Sequence, residues 1–273
     1  MDVKALTQKL ETYFKQLDGA IVAYSGGVDS GLLAYAAYAA LGQKMVAVIA
    51  ESPSLARREY RSAKKFAADH GIPLRVVQTA EMENPHYRAN QGDRCYYCKN
   101  ALFEKLKELR ELINKSMQDS TWSIVYGVNK DDLGDYRPGM LAAKEASIGS
   151  PYIDLGIDKR AIREICTYYN LEIAEKPAMP CLASRLQYGQ KVTTEKLKQV
   201  EEAENFLCDL GFKIFRVRHH GDTARIEVQQ ADFAALIRNR EKICQKLHAL
   251  GFTYVALDLD GFRSGSLNAE LDL

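Results

Sequence analysis

The chain has 273 residues, of which 47% are hydrophobic and 27% are charged, a composition typical of a globular protein. Its 37 basic and 36 acidic residues leave a net charge of +1, which argues against nucleic acid or an anionic membrane as a partner. The longest apolar stretch, residues 32–41, has half the length of a membrane span, and no signal-peptide pattern precedes it. We therefore expect a cytoplasmic protein with one large domain or two unequal domains.

The first half of the chain alternates between helical and strand patterns. Apolar residues recur at helical spacing in residues 4–17, 30–41, 55–70 and 159–169. Short apolar runs that are typical of buried strands occupy residues 20–24, 45–50, 74–79 and 123–127. Strands that alternate with helices over short connections indicate an α/β fold, in which helices cover both faces of a parallel sheet.

The pattern changes after residues 176–181, a segment that contains two prolines. We expect a first domain of residues 1–178 and a small α+β domain of residues 179–273. In the second domain, helical patterns occupy residues 193–210 and 232–250, and strand patterns occupy residues 213–219, 223–228 and 254–259.

The turn after the first predicted strand reads Ser25-Gly26-Gly27-Val28-Asp29-Ser30. Adjacent glycines let backbone N–H groups converge on an anion, and the N-terminus of the following helix adds partial positive charge. Asp29 is unusual in an anion site unless it serves a metal ion or orients the turn. A Gly-Lys-Ser/Thr element is absent, so this is not a Walker loop. Local chemistry alone is equally consistent with an ordinary turn whose Ser and Asp cap the helix.

The six cysteines are too few for a disulfide scaffold, so we expect thiols, metal ligands or catalytic groups. Cys95 and Cys98 share one face at the start of a helical pattern, where the helix dipole favours thiolates. Cys181 lies in a proline-bracketed loop, and loops carry chemistry more often than packing. Three such thiols suit a [4Fe–4S] cluster with one open iron; zinc with a fourth ligand is the alternative. Among apolar helical neighbours, small buried side chains are expected for Cys166, Cys208 and Cys244.

Residues 25–30 (SGGVDS) resemble the PP-loop of the ATP pyrophosphatase superfamily, whose enzymes cleave ATP to AMP and pyrophosphate. Three further segments resemble the LarE family of that superfamily: residues 127–139 (GVNKDDLGDYRPG), 180–185 (PCLASR) and 261–265 (GFRSG). The resemblance spans essentially the whole chain, and the combination of these three segments is specific to the family. It implies an ATP-dependent sulfur transferase of nickel-pincer nucleotide biosynthesis, which serves the maturation of lactate racemase.

The resemblance implies a two-round reaction on pyridinium-3,5-dicarboxylate mononucleotide. In each round, ATP with Mg²⁺ adenylates one carboxylate and releases pyrophosphate, and a sulfur nucleophile then displaces AMP to give a thiocarboxylate. In one type of LarE-like protein, the cysteine that matches Cys181 surrenders its own sulfur. In the other type, a CxxC pair joins that cysteine to hold a [4Fe–4S] cluster with a bound sulfide. The presence of Cys95 and Cys98 places this chain with the second type.

The resemblance also assigns roles to residues of the first domain. Asp29, beside the metal, joins Cys95, Cys98 and Cys181 in the catalytic group. The residues expected to bind ATP are Ser25, Gly26, Gly27, Asp29, Ser30, Glu51, Lys99 and Gly127. Glu51 and Ser52 are equally consistent with a helix cap, and Lys99 with a solvated lysine. Asp131 and Asp135 are expected to be metal-binding or structural groups, and Arg137 to pair with either of them.

The second domain is expected to bind the phosphate of the substrate and to mediate oligomerisation. The candidates are Ser184, Arg185, Arg216 and Arg218, because arginine suits bidentate contact with phosphate. Arg216 and Arg218 project from one face of a strand, and a charged, solvent-facing strand is the alternative interpretation. Glu204 and Glu227 are expected to hold these arginines or a metal.

The partners that the resemblance implies are a small-molecule nucleotide substrate, further copies of the chain in a trimer or hexamer, a sulfide donor and a downstream nickel-inserting protein.

Three rival interpretations of the function stay open. A tRNA thiolase would usually carry a basic excess or additional zinc-binding elements. A ligase that feeds ammonia to an adenylate would not need the three cysteines. A nucleotide-binding regulatory domain would release no pyrophosphate.

Overall fold

A computed structural model describes residues 2–116, 120–134, 138–263 and 266–267. It divides into two compact units. The first comprises Met1–Ser52, Arg57–Glu81 and Cys95–Met179, and the second comprises Pro53–Ala56, Met82–Arg94 and Pro180–Leu273. Two short segments from the N-terminal half of the chain therefore belong to the second unit.

The first unit contains a parallel four-stranded sheet. Its strands are β1 (Ala20–Ala23), β2 (Met45–Glu51), β3 (Leu74–Gln78) and β4 (Ser123–Tyr126), in the order β3-β2-β1-β4. The central strand β1 pairs in parallel register with both neighbours and is buried along its whole length. The prediction of a parallel sheet is confirmed. Because parallel strands end at the same edge, the chain segments that follow β1, β2 and β4 leave the sheet on one side.

Helices flank this sheet, as the sequence predicts. The helices of the N-terminal part are α1 (Val3–Lys15), α2 (Val28–Leu41), α3 (Arg57–Asp69), α4 (Pro85–Ala89), α5 (Arg94–Ser116), α6 (Pro138–Glu145), α7 (Pro151–Asp154) and α8 (Lys159–Tyr168). Of these, α4 belongs to the second unit. Helix α2, which follows β1 directly, is apolar around most of its circumference and largely buried. Among the helices in the described ranges, none combines the length and apolar character needed to cross a bilayer.

The second unit is built on a mixed three-stranded sheet. Its strands are β5 (Phe215–His220), β6 (Thr223–Val228) and β7 (Tyr254–Leu257), with β5 antiparallel and β7 parallel to the central β6. The helices are α9 (Thr194–Asp209), α10 (Phe233–Arg238) and α11 (Arg240–Ala249). One apolar core unites α9, both later helices and the sheet. The prediction of a small α+β domain is confirmed.

The prediction of one continuous helix over residues 232–250 is wrong, because the chain breaks at Asn239. Asn239 has a backbone conformation near φ −94° and ψ 6° and separates α10 from α11. Its side-chain amide donates to the carbonyl of Ala235 at 2.9 Å. Asparagine offers the backbone such local alternatives to the regular helical ladder, and the apolar periodicity on either side does not reveal the break.

Candidate functional site

The residues 25–30, here called the phosphate loop, connect β1 to α2. Ser30 Oγ accepts from the Ser25 backbone N–H at 3.1 Å, shares a 3.0 Å hydrogen bond with Ser25 Oγ, and donates to the Gly27 carbonyl at 3.3 Å. Gly27 is the N-cap of α2, and no side chain in the described ranges caps this helix. The interpretation in which Ser and Asp cap the helix is therefore wrong. The first N–H groups of α2 stay available to an anion.

Two glycines allow other backbone segments to approach this loop. Gly26 has φ +75°, and a Cβ there would lie 2.4 Å from the Cβ of Ala63. A Cβ on Gly127, at the end of β4, would lie 2.9 Å from the Ser30 backbone nitrogen and 3.0 Å from the Asp29 carbonyl carbon. Gly127 is among the residues expected to bind ATP, and the group that packs against it in this structure is the phosphate loop itself.

Asp29 is held by two groups that the sequence analysis did not identify. Lys159 Nζ lies 2.8 and 2.6 Å from the two carboxylate oxygens of Asp29, and the Tyr152 hydroxyl donates to the Asp29 carbonyl at 2.8 Å. Burial, followed by the charge of Asp29, raises the pKa of Tyr152, so this hydroxyl stays a donor. Asp131 accepts from the backbone N–H of Lys159 at 3.0 Å and thereby fixes the start of α8. Asp131 therefore has a structural role.

Lys176 is a further residue that the sequence analysis missed. Its ammonium donates to the carbonyl of Gly26 at 2.9 Å and pairs with Glu59 at 2.8 Å. The C=O and N–H of one trans peptide point in opposite directions. Because Lys176 holds the carbonyl of Gly26, the N–H of Gly27 is directed the other way. A lysine 150 residues along the chain thus sets the orientation of a loop donor.

The residues that follow β2 are engaged with neighbouring side chains. Glu51 accepts from Arg57 at 2.6 Å and from the Gln78 amide at 2.9 Å. The hydroxyl of Ser52 donates to the carboxylate of Glu81, which is 1% exposed. These bonds tie the ends of β2 and β3 together, and none of them is the helix cap that we considered for Glu51 and Ser52.

The CxxC pair lies in the first turns of α5, where Cys95 is exposed and Cys98 is half-buried. The start of α6 packs against this turn: a Cβ on Gly139 would lie 2.9 Å from Lys99 Cγ and 3.5 Å from the Cys95 carbonyl oxygen. The Tyr96 hydroxyl donates to Glu145, at the other end of α6, at 2.6 Å. The CxxC turn is therefore anchored on its own helix and on α6.

The three remaining cysteines were expected to be small buried side chains. Cys166 is fully buried, and desolvation raises the pKa of its thiol to about 12, so it stays protonated. Cys208 and Cys244 are half-buried.

In the second unit, residues 180–187 form the Cys181 loop. The carbonyl of Cys181 accepts from the Ser184 hydroxyl at 2.7 Å and from Arg185 at 3.1 Å. Arg94, which is 4% exposed, donates to the carbonyl of Ala183 at 2.7 Å and to the side chain of Asn90. Arg94 directly precedes Cys95 in the chain. The residue before the CxxC pair is thus bonded to the loop that carries Cys181.

The arginine cluster comprises Arg185, Arg216 and Arg218 together with Glu204 and Glu227. Arg185 pairs with Glu204 through two bonds of 2.9 and 3.1 Å, and Arg218 pairs with Glu227 through two bonds of 3.0 and 2.9 Å. All five side chains are buried, with Arg216 and Arg218 each 6% exposed. The interpretation of a solvent-facing strand is therefore wrong, and both glutamates hold arginines.

The cluster brings three buried guanidinium groups together with two buried carboxylates. Arg216 stacks on the ring of Phe262 at 5.0 Å and donates to the Phe215 carbonyl at 2.5 Å. Burial, followed by the charges of Arg185 and Arg218, lowers the pKa of Arg216 to about 10. A phosphate placed beside this guanidinium would stabilise its charged form, because it supplies an opposite charge and acceptor oxygens.

Some of the possible metal ligands and motif residues lie inside the described ranges and others lie outside them. Within the described ranges, no group of three or more His, Cys, Asp or Glu side chains is arranged to hold a metal ion. The expectations for Asp135 and Arg137, and for the end of the 261–265 segment, concern positions outside the described residues.

Comparison with known proteins identifies the family to which this chain belongs. Residues 2–102 match the family described as NAD synthase. The chain is 33% identical to the pyridinium-3,5-bisthiocarboxylic acid mononucleotide synthase of Lactiplantibacillus plantarum over 258 residues, which cover 94% of this chain and 91% of the relative. It is 43% identical to an uncharacterised protein of Synechocystis, slr1717, over 97% of both chains, and 32% identical to MJ0830 of Methanocaldococcus jannaschii over 89% and 90%. The chain belongs to the LarE family within the PP-loop superfamily, as its motifs predict.

Proposed function

We propose that this protein is an ATP-dependent sulfur transferase that converts the carboxylates of pyridinium-3,5-dicarboxylate mononucleotide into thiocarboxylates. The observation that carries the proposal is the buried cluster of three arginines in the second unit, Arg185, Arg216 and Arg218. An enzyme that acted on ATP alone would have no use for a second phosphate site of this kind. The relative from L. plantarum is named for a bisthiocarboxylic acid mononucleotide, whose single phosphate would need such a site.

The first step is adenylation at the phosphate loop. Backbone N–H groups of Gly27 and of the first turn of α2 would hold phosphate oxygens of ATP, and Asp29 is assigned as the side chain that would contact Mg²⁺. A substrate carboxylate oxygen attacks the α-phosphorus, the bond from that phosphorus to the bridging oxygen breaks, and pyrophosphate leaves with the electron pair. Lys159 holds the carboxylate of Asp29 in place, and Lys176 keeps the Gly27 N–H directed away from the Gly26 carbonyl.

The substrate is positioned by its phosphate at Arg216. Arg185 and Arg218 are each paired with a carboxylate, so they orient the cluster. We assign the phosphate contact to Arg216, whose guanidinium lies near the like charges of Arg185 and Arg218. The hydroxyl of Ser184 is engaged with the Cys181 carbonyl. We therefore assign Ser184, Arg185 and Arg218 to shaping the substrate site and Arg216 to direct binding.

Sulfur transfer is assigned to Cys95, Cys98 and Cys181. Their donor chemistry fits an iron–sulfur cluster, since three thiols with incomplete burial leave one iron open. The bond from Arg94 to the Ala183 carbonyl supports this assignment, because it ties the residue beside Cys95 to the Cys181 loop. When bound, a [4Fe–4S] cluster would supply a sulfide as the nucleophile. Ser184 and Arg185 fix the backbone of Cys181, and these two contacts would equally serve a Cys181 that donates its own sulfur.

The function is tested with anaerobically prepared protein, ATP, Mg²⁺ and the dicarboxylate mononucleotide. We expect pyrophosphate release that depends on the mononucleotide, and a product that is heavier by 16 Da for each oxygen replaced by sulfur. Use of ammonia as the nucleophile, with an amide formed in place of a thiocarboxylate, would overturn the proposal.

Iron and acid-labile sulfide content decides the source of sulfur. We expect about four irons per chain, with loss of iron in Cys95→Ala. No iron, together with loss of one sulfur from Cys181 after turnover, would replace the cluster with a sacrificial cysteine. The adenylation step would stand in either case.

A further inference from the structure

The second unit contains an open cavity of about 380 Å³ that is separate from the arginine cluster. It is lined by Pro85, Arg88, Ala89, Gln91, Gly189 and Lys191. The volume is within the range of small-molecule sites, which begins at roughly 300 Å³. Two of the lining side chains are cationic, one is an amide, and none is acidic.

The walls of this cavity are joined by hydrogen bonds. One wall is α4, and the other is the chain segment 187–192. The N–H of Gly189 donates to the carbonyl of Asn90 at 2.9 Å, and the N–H of Val192 donates to the carbonyl of Arg88 at 2.8 Å. The side-chain amide of Asn90, which is fully buried, donates to the Gln187 carbonyl at 2.8 Å. The lining side chains therefore project from a braced frame.

The two cations of the cavity are unlike the arginines of the arginine cluster. Among the described residues, neither Arg88 nor Lys191 has an ion-pair partner. The Nε of Arg88 is buried without a hydrogen-bond acceptor within the described ranges. Because this nitrogen is shielded from solvent, the terminal N–H groups at the outer end of the guanidinium are the ones that a ligand in the cavity would contact.

We propose that this cavity binds the phosphate group of a small phosphomonoester. The terminal N–H groups of Arg88 form the outer edge of a guanidinium that can bind two phosphate oxygens side by side. Lys191 supplies a second positive charge, which matches a dianion, and the Gln91 amide supplies a neutral donor. Pro85, Ala89 and Gly189 leave room for an uncharged remainder of the molecule. This inference does not depend on the reaction proposed above.

Isothermal titration calorimetry with ribose 5-phosphate, inorganic phosphate and ribose tests the proposal on the full chain. We expect saturable binding of ribose 5-phosphate at low salt, weaker binding of inorganic phosphate and none of ribose. In Arg88→Gln the binding should weaken on the order of tenfold, since a charge-assisted pair is lost. The affinity of Arg88→Lys should lie between those of the parent and Arg88→Gln, because lysine keeps the positive charge but cannot donate two parallel hydrogen bonds as a guanidinium does.

Three further variants distinguish binding in this cavity from binding elsewhere in the second unit. Lys191→Gln changes an exposed side chain, so it should fold normally and still weaken binding. Lys213→Gln removes an exposed lysine of the same unit outside the cavity and should bind as the parent does. Arg216→Gln separates the two sites: binding that survives in Arg88→Gln and Lys191→Gln but disappears in Arg216→Gln belongs to the arginine cluster and overturns the proposal. Absence of saturable binding, or equal binding of ribose, overturns it as well.

Discussion

The phosphate loop of the first unit and the arginine cluster of the second unit are both proposed to bind phosphate oxygens, but they are built from different groups. The loop offers backbone N–H groups, shaped by Gly26, Gly27 and two serine hydroxyls, and its one acidic side chain is neutralised by Lys159. The cluster offers guanidinium groups that are buried and already paired with carboxylates. The loop depends on the space that glycines leave. The cluster depends on charge balance inside an apolar core.

The largest effect is expected from breaking that charge balance. Glu227 is fully buried and accepts from both Arg218 and Arg225, so Glu227→Gln leaves buried positive charge without its counterion. We expect a loss of about 3–5 kcal/mol in the free energy of unfolding. Urea unfolding measures it. Glu202→Gln, which removes the exposed partner of Lys246, is the matched control and should cost under about 1 kcal/mol. Equal losses in both variants would contradict the contrast between buried and exposed pairs.

A smaller effect is expected from His219, which lies beside Arg218 and is 3% exposed. Its Nε2 lies 3.1 Å from Gln199 Oε1, and its Nδ1 has no partner among the described residues. Burial, followed by the charge of Lys196, lowers the pKa of His219 from 6.5 to about 4. As the pH falls below 6.5, His219 is therefore protonated in the unfolded chain, whereas in the folded chain it is protonated only near pH 4.

The stability that His219 contributes is present above pH 6.5 and is lost as the pH falls towards 4, by about 3 kcal/mol in total. Urea unfolding at pH 7, 5.5 and 4 measures the slope. Because carboxylates also titrate in this range, the quantity to compare is the difference between the parent and His219→Gln. The variant should lose less stability on acidification, and parallel curves for the two proteins would refute the assignment.

The third effect concerns the space that the loop requires. A Cβ on Gly127 would press on the backbone of Asp29 and Ser30, which cannot move aside as a flexible side chain does. Gly127→Ala should therefore destabilise the first unit by about 1–3 kcal/mol and raise the KM for ATP. Gly134→Ala is the matched control, since a Cβ there meets nothing within 4 Å. Steady-state pyrophosphate release and urea unfolding of both variants measure the effect, and an unchanged Gly127→Ala would show that the loop can move.

The same contrast explains how much could be read from the sequence. The parallel sheet, the phosphate loop and the positions of Gly127, Arg185, Arg216 and Arg218 follow from patterns that are local in the chain. The partners of the charged side chains are not set by local patterns. Lys159 binds Asp29 across 130 residues of sequence, and Lys176 binds the Gly26 carbonyl across 150. Apolar periodicity places such residues on helices and loops without naming their partners. For the same reason the burial of Arg216 and Arg218 could not be told from solvent exposure, because alternation on a strand gives a face and not its surroundings.

The last prediction concerns the one place where a side-chain charge controls the backbone donors of the loop. Lys176→Met removes the ammonium that holds the Gly26 carbonyl, and the peptide is then free to rotate, so that the Gly27 N–H is no longer fixed towards the anion. We expect the KM for ATP to rise on the order of tenfold, the cost of one charge-assisted hydrogen bond, with a smaller change in kcat.

Two companion variants separate this positioning role from a general loss of structure. Lys176→Arg retains a cation that can reach the Gly26 carbonyl and should restore most of the affinity for ATP. Glu59→Gln removes the ion-pair partner of Lys176 but leaves its bond to Gly26, so its KM should stay close to that of the parent. A rise in KM in Glu59→Gln as large as in Lys176→Met would mean that the ion pair braces the region as a whole. The orientation of the Gly26–Gly27 peptide would then be a property of the glycines alone.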